Sequence, residues 1–595
     1  MLKYIFHCDS IVSCIPKGEC KMNKKKIISN TIMFLSIMLF INVFQRLFGN
    51  ENTLVGVTVI TAALVLLERD LTISPFRNLI KLLGINMLTT FAAYYANSNM
   101  WLGIILNFTI LFTIGYLFSY NLRKSIFVPF GLQYLFILFN PVYGESFLKR
   151  ILALIFGAFF VMSLQFLANM NKISKTGSKI VDTICENILL KINLLEKNKD
   201  VTGVNIDIVQ FINSLKKIVY DKRVGDFYIT KAGKITTNIL FSLERINILL
   251  DKLKEDDYEK ESYVQFLGTI YEKVASIKEK LFNISDIEAI YLNTDLNRIY
   301  IHEIINSVQI LYIEMSKMKM LDKKNKNSIE NNHKIPIHFN KVSTHKKNFE
   351  FNSLRVSYGI RLGIAGCFTA FITAYFHLSE GRWMVYTIFS LIQPYAEISN
   401  MKSKQRIEGT LIGALIVFFC FSLITNTTIR FLIVLLAGYL NPFTVNYKAL
   451  IACVTVSAVA SSAMVGGTTK FVLSRIVFVA IGAAVAALIN KFVLPYKFED
   501  GKKELVSTYN NLVNQMLSDI KDNNDNIEDI VKNLFLIPAL IEDRMNVIDF
   551  GKNCSKEKDF IYTQRVLVNN LYNYYLLLNK DKCIRKNIFT NDKII

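Results

Sequence analysis

The stretch Arg406–Phe419, RIEGTLIGALIVFF, sets a cation and a carboxylate against a run of hydrocarbon that is interrupted by glycines at 409 and 413. On a helix, seven positions are nearly two full turns, so Arg406 and Gly413 share one face. Gly409 and Gly413 form a GxxxG pair, the spacing that lets a second backbone approach closely inside a membrane. The same arginine-to-glycine spacing occurs three more times: Arg77–Gly84 (RNLIKLLG), Arg150–Gly157 (RILALIFG) and Arg475–Gly482 (RIVFVAIG). Arg406 follows Arg77 by 329 residues and Arg475 follows Arg150 by 325. Four such elements in register predict a duplicated block. They also predict helix-packing roles for Gly84, Gly157, Gly409, Gly413 and Gly482.

The remainder of the chain agrees with a membrane reading. Its 595 residues are 52% hydrophobic and 12% aromatic, with a mean hydropathy of +0.32, which places it among integral membrane proteins. Apolar windows cluster in two groups, giving five segments: a leader, 1–26; a first transmembrane block, 27–168; a cytoplasmic helical domain with a basic tether, 169–350; a second transmembrane block, 351–495; and a C-terminal cytoplasmic helical domain, 496–595. Each block reads as six helices, so the fold class is an all-α membrane protein. Three is an odd number of crossings, so each block becomes an inverted pair of three-helix units. Arg77 and Arg406 then start their helices on the cytoplasmic side, and Arg150 and Arg475 start theirs outside. A cation outside runs against the positive-inside bias, which makes Arg150 and Arg475 functional candidates.

Formal charge is +21, but the lysines and arginines lie in flanks such as KMNKKK and NMKSKQR and in the polar segments. That pattern reads as topology and predicts no nucleic-acid partner. The polar segments are helical in period: Ile180, Ile184, Ile188 and Ile192 recur every fourth residue. Between about Lys317 and Asn348 periodicity is lost, which reads as the tether. Translation from Met1 and from Met22 fit equally. Cys8, Cys14 and Cys20 fit neither a zinc pair nor a lipid-attachment box.

Several chemistries have no sequence support. There is no GxxxxGK[ST] phosphate loop for an ATP motor, no HExxH or cysteine-paired histidine spacing for a metal, and no hydrolytic triad, so neither enzyme nor cofactor is expected. Acidic residues are sparse in the apolar cores. Glu397 and Glu408 lie near the cytoplasmic mouth, where placement at a helix N-terminus accounts for Glu408. The helices that precede the arginines are short and broken, at Gln393–Pro394, at Asn140–Pro141 and at Gly466–Gly467. Interrupted segments at corresponding positions point to a transport site, with Gln393 among its lining.

The second block resembles the fusaric acid resistance (FUSC) domain of the aromatic acid exporter superfamily. The resemblance rests on Arg361 in SYGIRLGIAG, on Trp383–Pro394 in RWMVYTIFSLIQP, on RIEGTLIGA at 406–414, and on the closing helix Ser474–Pro495. It implies efflux of aromatic or related organic carboxylic acids across the cytoplasmic membrane, and it carries Arg361, Trp383, Arg406, Thr410 and Arg475 over as substrate-binding positions. With Arg150 and Gln393 these make the candidate site, where arginines would meet a carboxylate and Trp383 would offer a face to an aromatic ring. The superfamily also includes organic-anion channels of six helices per subunit, which implies a fused pseudo-dimer or a homo-oligomer. The expected partners are the lipid bilayer and a small organic anion. A passive anion channel and a membrane-anchored helical scaffold or sensor are the alternatives.

Overall fold

The computed structural model describes residues 24–67, 71–72, 75–118, 127–169, 172–221, 228–255, 260–279, 298–320, 329–334, 353–378, 380–424, 426–444, 446–463 and 468–521, with single positions at 563, 567 and 571. The leader cysteines and Gly466–Gly467 lie outside them. Two compact units emerge, one made of Met1–Ala168 with Asn340–Lys503 and the other of Asn169–Phe339 with Glu504–Ile595. Both apolar regions therefore belong to one unit.

In that unit α1 (Lys24–Phe48), α2 (Thr53–Leu66), α3 (Pro75–Ser98), α4 (Met100–Phe118), α5 (Phe127–Phe139) and α6 (Glu145–Asn169) come first. The second unit holds α7 (Lys172–Glu196), α8 (Thr202–Asp221), α9 (Lys231–Glu255), α10 (Lys260–Glu279) and α11 (Arg298–Met320). The first resumes with α12 (Leu354–Tyr375), α13 (Arg382–Leu391), α14 (Ala396–Leu423), α15 (Thr427–Leu440), α16 (Tyr447–Ala463) and α17 (Thr468–Phe492), and α18 (Phe498–Lys521) follows. Among the described residues, seven helices are long and apolar enough to cross a membrane: Ile27–Phe48, Pro75–Ser98, Met100–Phe118, Glu145–Ala168, Leu354–Tyr375, Ala396–Leu423 and Val472–Phe492. Four more are apolar but shorter, Asn50–Leu66, Phe127–Phe139, Thr427–Phe443 and Tyr447–Ala460.

The second unit is built on the period-four pattern of its sequence. Ile184, Ile188 and Ile192 of α7 are fully buried, and Lys191 among them pairs with Asp251 at 2.7 Å and with Asn247. Part of the expected tether is ordered. Lys317–Met320 complete α11, and β2 (Ile329–Lys334) pairs antiparallel with β1 (Tyr228–Thr230). Backbone ladder bonds need no side-chain periodicity, so a polar strand of this kind leaves no signal in the hydrophobic pattern.

Small residues let the two apolar regions meet. Gly359 and Gly363 of α12 lie against Phe112 and Phe108 of α4, and a Cβ on Gly363 would stand 2.9 Å from the Phe108 ring. Lower in the same core, the short helices α5 and α13 cross where Gly131 gives way to the Phe389 ring. α5 ends at Phe139, where Asn140 precedes Pro141 and a residue before proline is pushed out of the α region. α13 ends at Leu391, with Ile392 already extended at ψ 113°, two residues before Pro394. A ten-residue helix such as α13 rises only ~15 Å, about half of a bilayer core.

The repeated glycines do not behave alike. A Cβ on Gly409 would lie 2.5 Å from the Lys448 carbonyl oxygen, and one on Gly413 would lie 2.6 Å from that of Ala452, so α16 runs along the GxxxG face of α14. Gly482 faces the Met384 carbonyl at 2.9 Å, and Gly157 faces Val59 at 2.6 Å. Gly84 departs from the packing expectation, since a Cβ there would meet open space. Its partner arginine Arg77 is also exposed. Spacing fixes which residues share a face; it does not say that a neighbour covers that face. Replacing Gly413 by leucine should therefore destabilise the purified protein by about 1–3 kcal/mol, the usual cost of overpacking. Gly84→Leu should leave its melting temperature in detergent within a degree or so of wild type.

Candidate functional site

Buried and half-buried guanidinium groups in the membrane-type unit fall into two kinds. Arg150, on α6, is 1% exposed and each of its nitrogens has a protein partner: Nε donates to Asn52 Oδ1 (2.8 Å), Nη1 to the Asn140 carbonyl (2.6 Å) and Nη2 to the Glu51 carbonyl (3.1 Å). Arg361, on α12, is wholly buried, with Nε on the Ser357 carbonyl, Nη1 on Asn490 Oδ1 (3.1 Å) and Nη2 on the Pro394 carbonyl (2.7 Å). Arg430, on α15, donates to the carbonyls of Ile424 and Phe421 at the end of α14. All three stop up carbonyls left over where helices end or break, which in an apolar surrounding would otherwise stay unpaired. Arg150 and Arg361 thus each spend three of their five N–H donors on the fold, one from every nitrogen.

Arg406 and Arg475 are of the other kind. Arg475, on α17, is 2% exposed, and its Nε and Nη1 are buried with no hydrogen-bond partner. Arg406, on α14, is 8% exposed; its Nε is also without a partner, and Nη1 reaches only the Tyr447 hydroxyl at a long 3.5 Å. The Asn490–Ser399 bond fixes α14 and α17 as neighbours. The charge of Arg406 acts unfavourably on Arg475, as does that of Arg382. Three buried hydroxyls in the same helices and their packed neighbours, Thr410, Thr387 and Thr455, have no partner either. Among the described residues of the first apolar region, no buried side-chain nitrogen or oxygen is left in this way. There Gln133 bonds Asn86 and Thr89, Asn86 bonds the Leu154 carbonyl, and Tyr134 bonds Asn107.

Trp383 opens α13, and its ring lies under Arg475, with the guanidinium carbon 3.7 Å from the ring centroid. That stack changes the expected use of the indole. One face holds the cation and Tyr386 meets the ring edge-on at 5.6 Å, so Trp383 positions Arg475 rather than presenting that face to a ligand ring. Gln393 likewise works inside the fold: its amide donates to the Ser390 carbonyl and its Oε1 accepts from Lys402 Nζ at 3.0 Å.

Lys402, Glu380 and Tyr447 belong to the site and were not read from sequence. Lys402 is 8% exposed, one helical turn before Arg406, and its ammonium lies 5.5 Å from the centre of the Tyr447 ring. It reads as a topology lysine in NMKSKQR when Arg406 is taken to start its helix. The helix begins at Ala396, and the four-residue spacing from Lys402 to Arg406 would have revealed the shared face. This earlier start also corrects the reading of Glu408, which sits well inside α14 and pairs with Lys448 at 2.8 Å. Glu380, between α12 and α13, accepts from Trp383 Nε1 at 2.6 Å and pairs with Arg382 at 3.1 Å.

Lys402, Arg406 and Arg475 thus form a group of buried cations with Thr410 one turn beyond Arg406, and Arg406 Nε, Thr410 Oγ1 and Arg475 Nε and Nη1 have no hydrogen-bond partner. Such a group can hold an anion in charge-assisted hydrogen bonds that are strong where water is scarce. Residues 367–489 match the family model described as fusaric acid resistance protein-like. That segment contains Trp383, Gln393, Arg406, Thr410 and Arg475, and leaves out Arg150 and Arg361. No curated protein and no solved structure matches the chain.

The two kinds of arginine should separate in a stability measurement. Arg361→Met orphans the Pro394 carbonyl and Asn490, at about 1–3 kcal/mol for each buried group, and should lower the melting temperature by several degrees. Arg475→Met removes a buried charge that has no acceptor and should leave the melting temperature unchanged or raise it. A loss in Arg475→Met equal to that in Arg361→Met would make Arg475 a structural residue.

Proposed function

We propose that this chain, which carries a fusaric acid resistance protein-like segment at residues 367–489, is an integral membrane transporter that exports aromatic or related organic carboxylic acids. The observation that carries the reading is the pair of buried guanidiniums, Arg406 and Arg475, in which Arg406 Nε and Arg475 Nε and Nη1 have no hydrogen-bond partner. Burying a cation without a counter-charge costs on the order of several kcal/mol, and a carboxylate in transit would supply that charge. Thr410 and Thr387 add hydroxyl donors beside it. Among the described residues the first apolar region has no such pair, which favours a binding site in the second half.

The membrane arrangement follows from the same reading. The two apolar regions form six-helix blocks, each an inverted pair of three-helix units, fused in one chain as a pseudo-dimer along α4 and α12. Lipid is the partner of outward apolar side chains such as Leu39, Leu47, Leu423 and Leu488, which are 69%, 61%, 83% and 57% exposed. The lysine-rich soluble segments are cytoplasmic by the positive-inside bias, in a cytoplasmic membrane. The anion then enters at the Lys402 end of α14 and leaves at the Glu380 end.

Efflux of labelled benzoate from cells or proteoliposomes tests this directly. Arg406→Ala and Arg475→Ala should each slow efflux by about tenfold or more, the loss of one charge-assisted hydrogen bond, with Arg77→Ala within twofold of wild type. Wild-type efflux in both site variants at wild-type expression would overturn the assignment. Uphill export that a protonophore abolishes distinguishes a coupled exporter from a passive anion channel.

A further inference from the structure

A carboxylate next to an anion site weakens that site, so its presence needs a reason. Glu380 is such a group. Its side chain is 13% exposed, in the turn between α12 and α13, at the opposite end of α13 from Pro394. Oε2 accepts from the Trp383 indole N–H at 2.6 Å, and Oε1 pairs with Arg382 Nη2 at 3.1 Å. The face of that same indole holds the Arg475 guanidinium at 3.7 Å. Glu380 therefore bonds the edge of the ring whose face carries Arg475. Its negative charge acts favourably on Arg475, yet no ion pair joins them, and Arg475 Nε and Nη1 stay without partners.

We infer that Glu380 is a built-in competitor of the transported anion, the carboxylate to which Arg475 turns as the substrate leaves. The inference rests on the anion-transport reading above. A site of two uncompensated guanidiniums in a dry surrounding binds a carboxylate strongly, and conduction through it requires binding weak enough to release. A protein carboxylate of the same chemistry, one indole away on the release side, offers Arg475 an alternative partner as the anion departs. Arg382 and Trp383 hold Glu380 off Arg475. The other charged groups that act on Arg475, Arg406 and Arg382, are cations and repel it.

This role and a merely supporting one for Trp383 predict opposite signs. Glu380→Gln keeps an amide oxygen able to accept from the indole and removes the charge. In full-length protein purified in detergent, Glu380→Gln should bind benzoate about tenfold more tightly, as expected for removing one nearby charge in a low-dielectric site. Its efflux of benzoate in proteoliposomes should be several-fold slower, and Glu380→Asp should stay close to wild type in both. Binding that is unchanged or weaker in Glu380→Gln overturns the inference and leaves the anion site standing. Benzoate binding by the wild type that Arg475→Gln does not weaken overturns the transport reading, and this inference with it.

Discussion

A guanidinium buried among apolar helices must find acceptors, and this unit is organised around where each one finds them. Arg150, Arg361 and Arg430 take the carbonyls of broken or ending helices. In doing so they make the breaks tolerable: α13 can stop after ten residues because Arg361 receives the Pro394 carbonyl, and α5 can stop at Phe139 because Arg150 receives that of Asn140. On the second side lie Arg406 and Arg475, buried cations whose Nε atoms, with Nη1 of Arg475, have no hydrogen-bond partner.

Glycine sets the distances of that arrangement. Gly409 and Gly413 bring the backbone of α16 against α14, and Gly482 brings α13 against α17, so Trp383 stands at the level of Arg475. Bulkier residues at these points would push the helices apart by more than a hydrogen bond can stretch. The packing and the electrostatics are thus one design: close backbones confine the cations, and confinement removes the water that would otherwise satisfy them.

The sequence carried much of the helix pattern, for physical reasons that can be named. Long apolar runs have nowhere to go but a bilayer or a core, and Asn140–Pro141 ends a helix by local sterics alone. The GxxxG pair and the two site arginines could be read because spacing on a helix determines which residues share a face, whereas Trp383 and Thr410 came from the resemblance of the second block. The separate fates of the four arginines could not. Arg77 and Arg475 stand in the same local frame, yet one is exposed and the other buried, because that depends on what other segments pack against them. Lys402 was hidden by a misplaced helix start, and Glu380 by lying in a turn with no periodicity.

By itself, then, the sequence determined an all-helical chain with membrane-length helices, where those helices break, and which residues line up along them, since all of these follow from local backbone energetics and hydrophobic transfer. Tertiary structure decided which buried arginines are spent and which are free. Whether Arg361 meets the Pro394 carbonyl, 33 residues away, or Arg475 meets only a tryptophan face is settled by contacts between distant segments. Hydrogen-bond satisfaction belongs to the packed assembly, and no reading along one helix contains it.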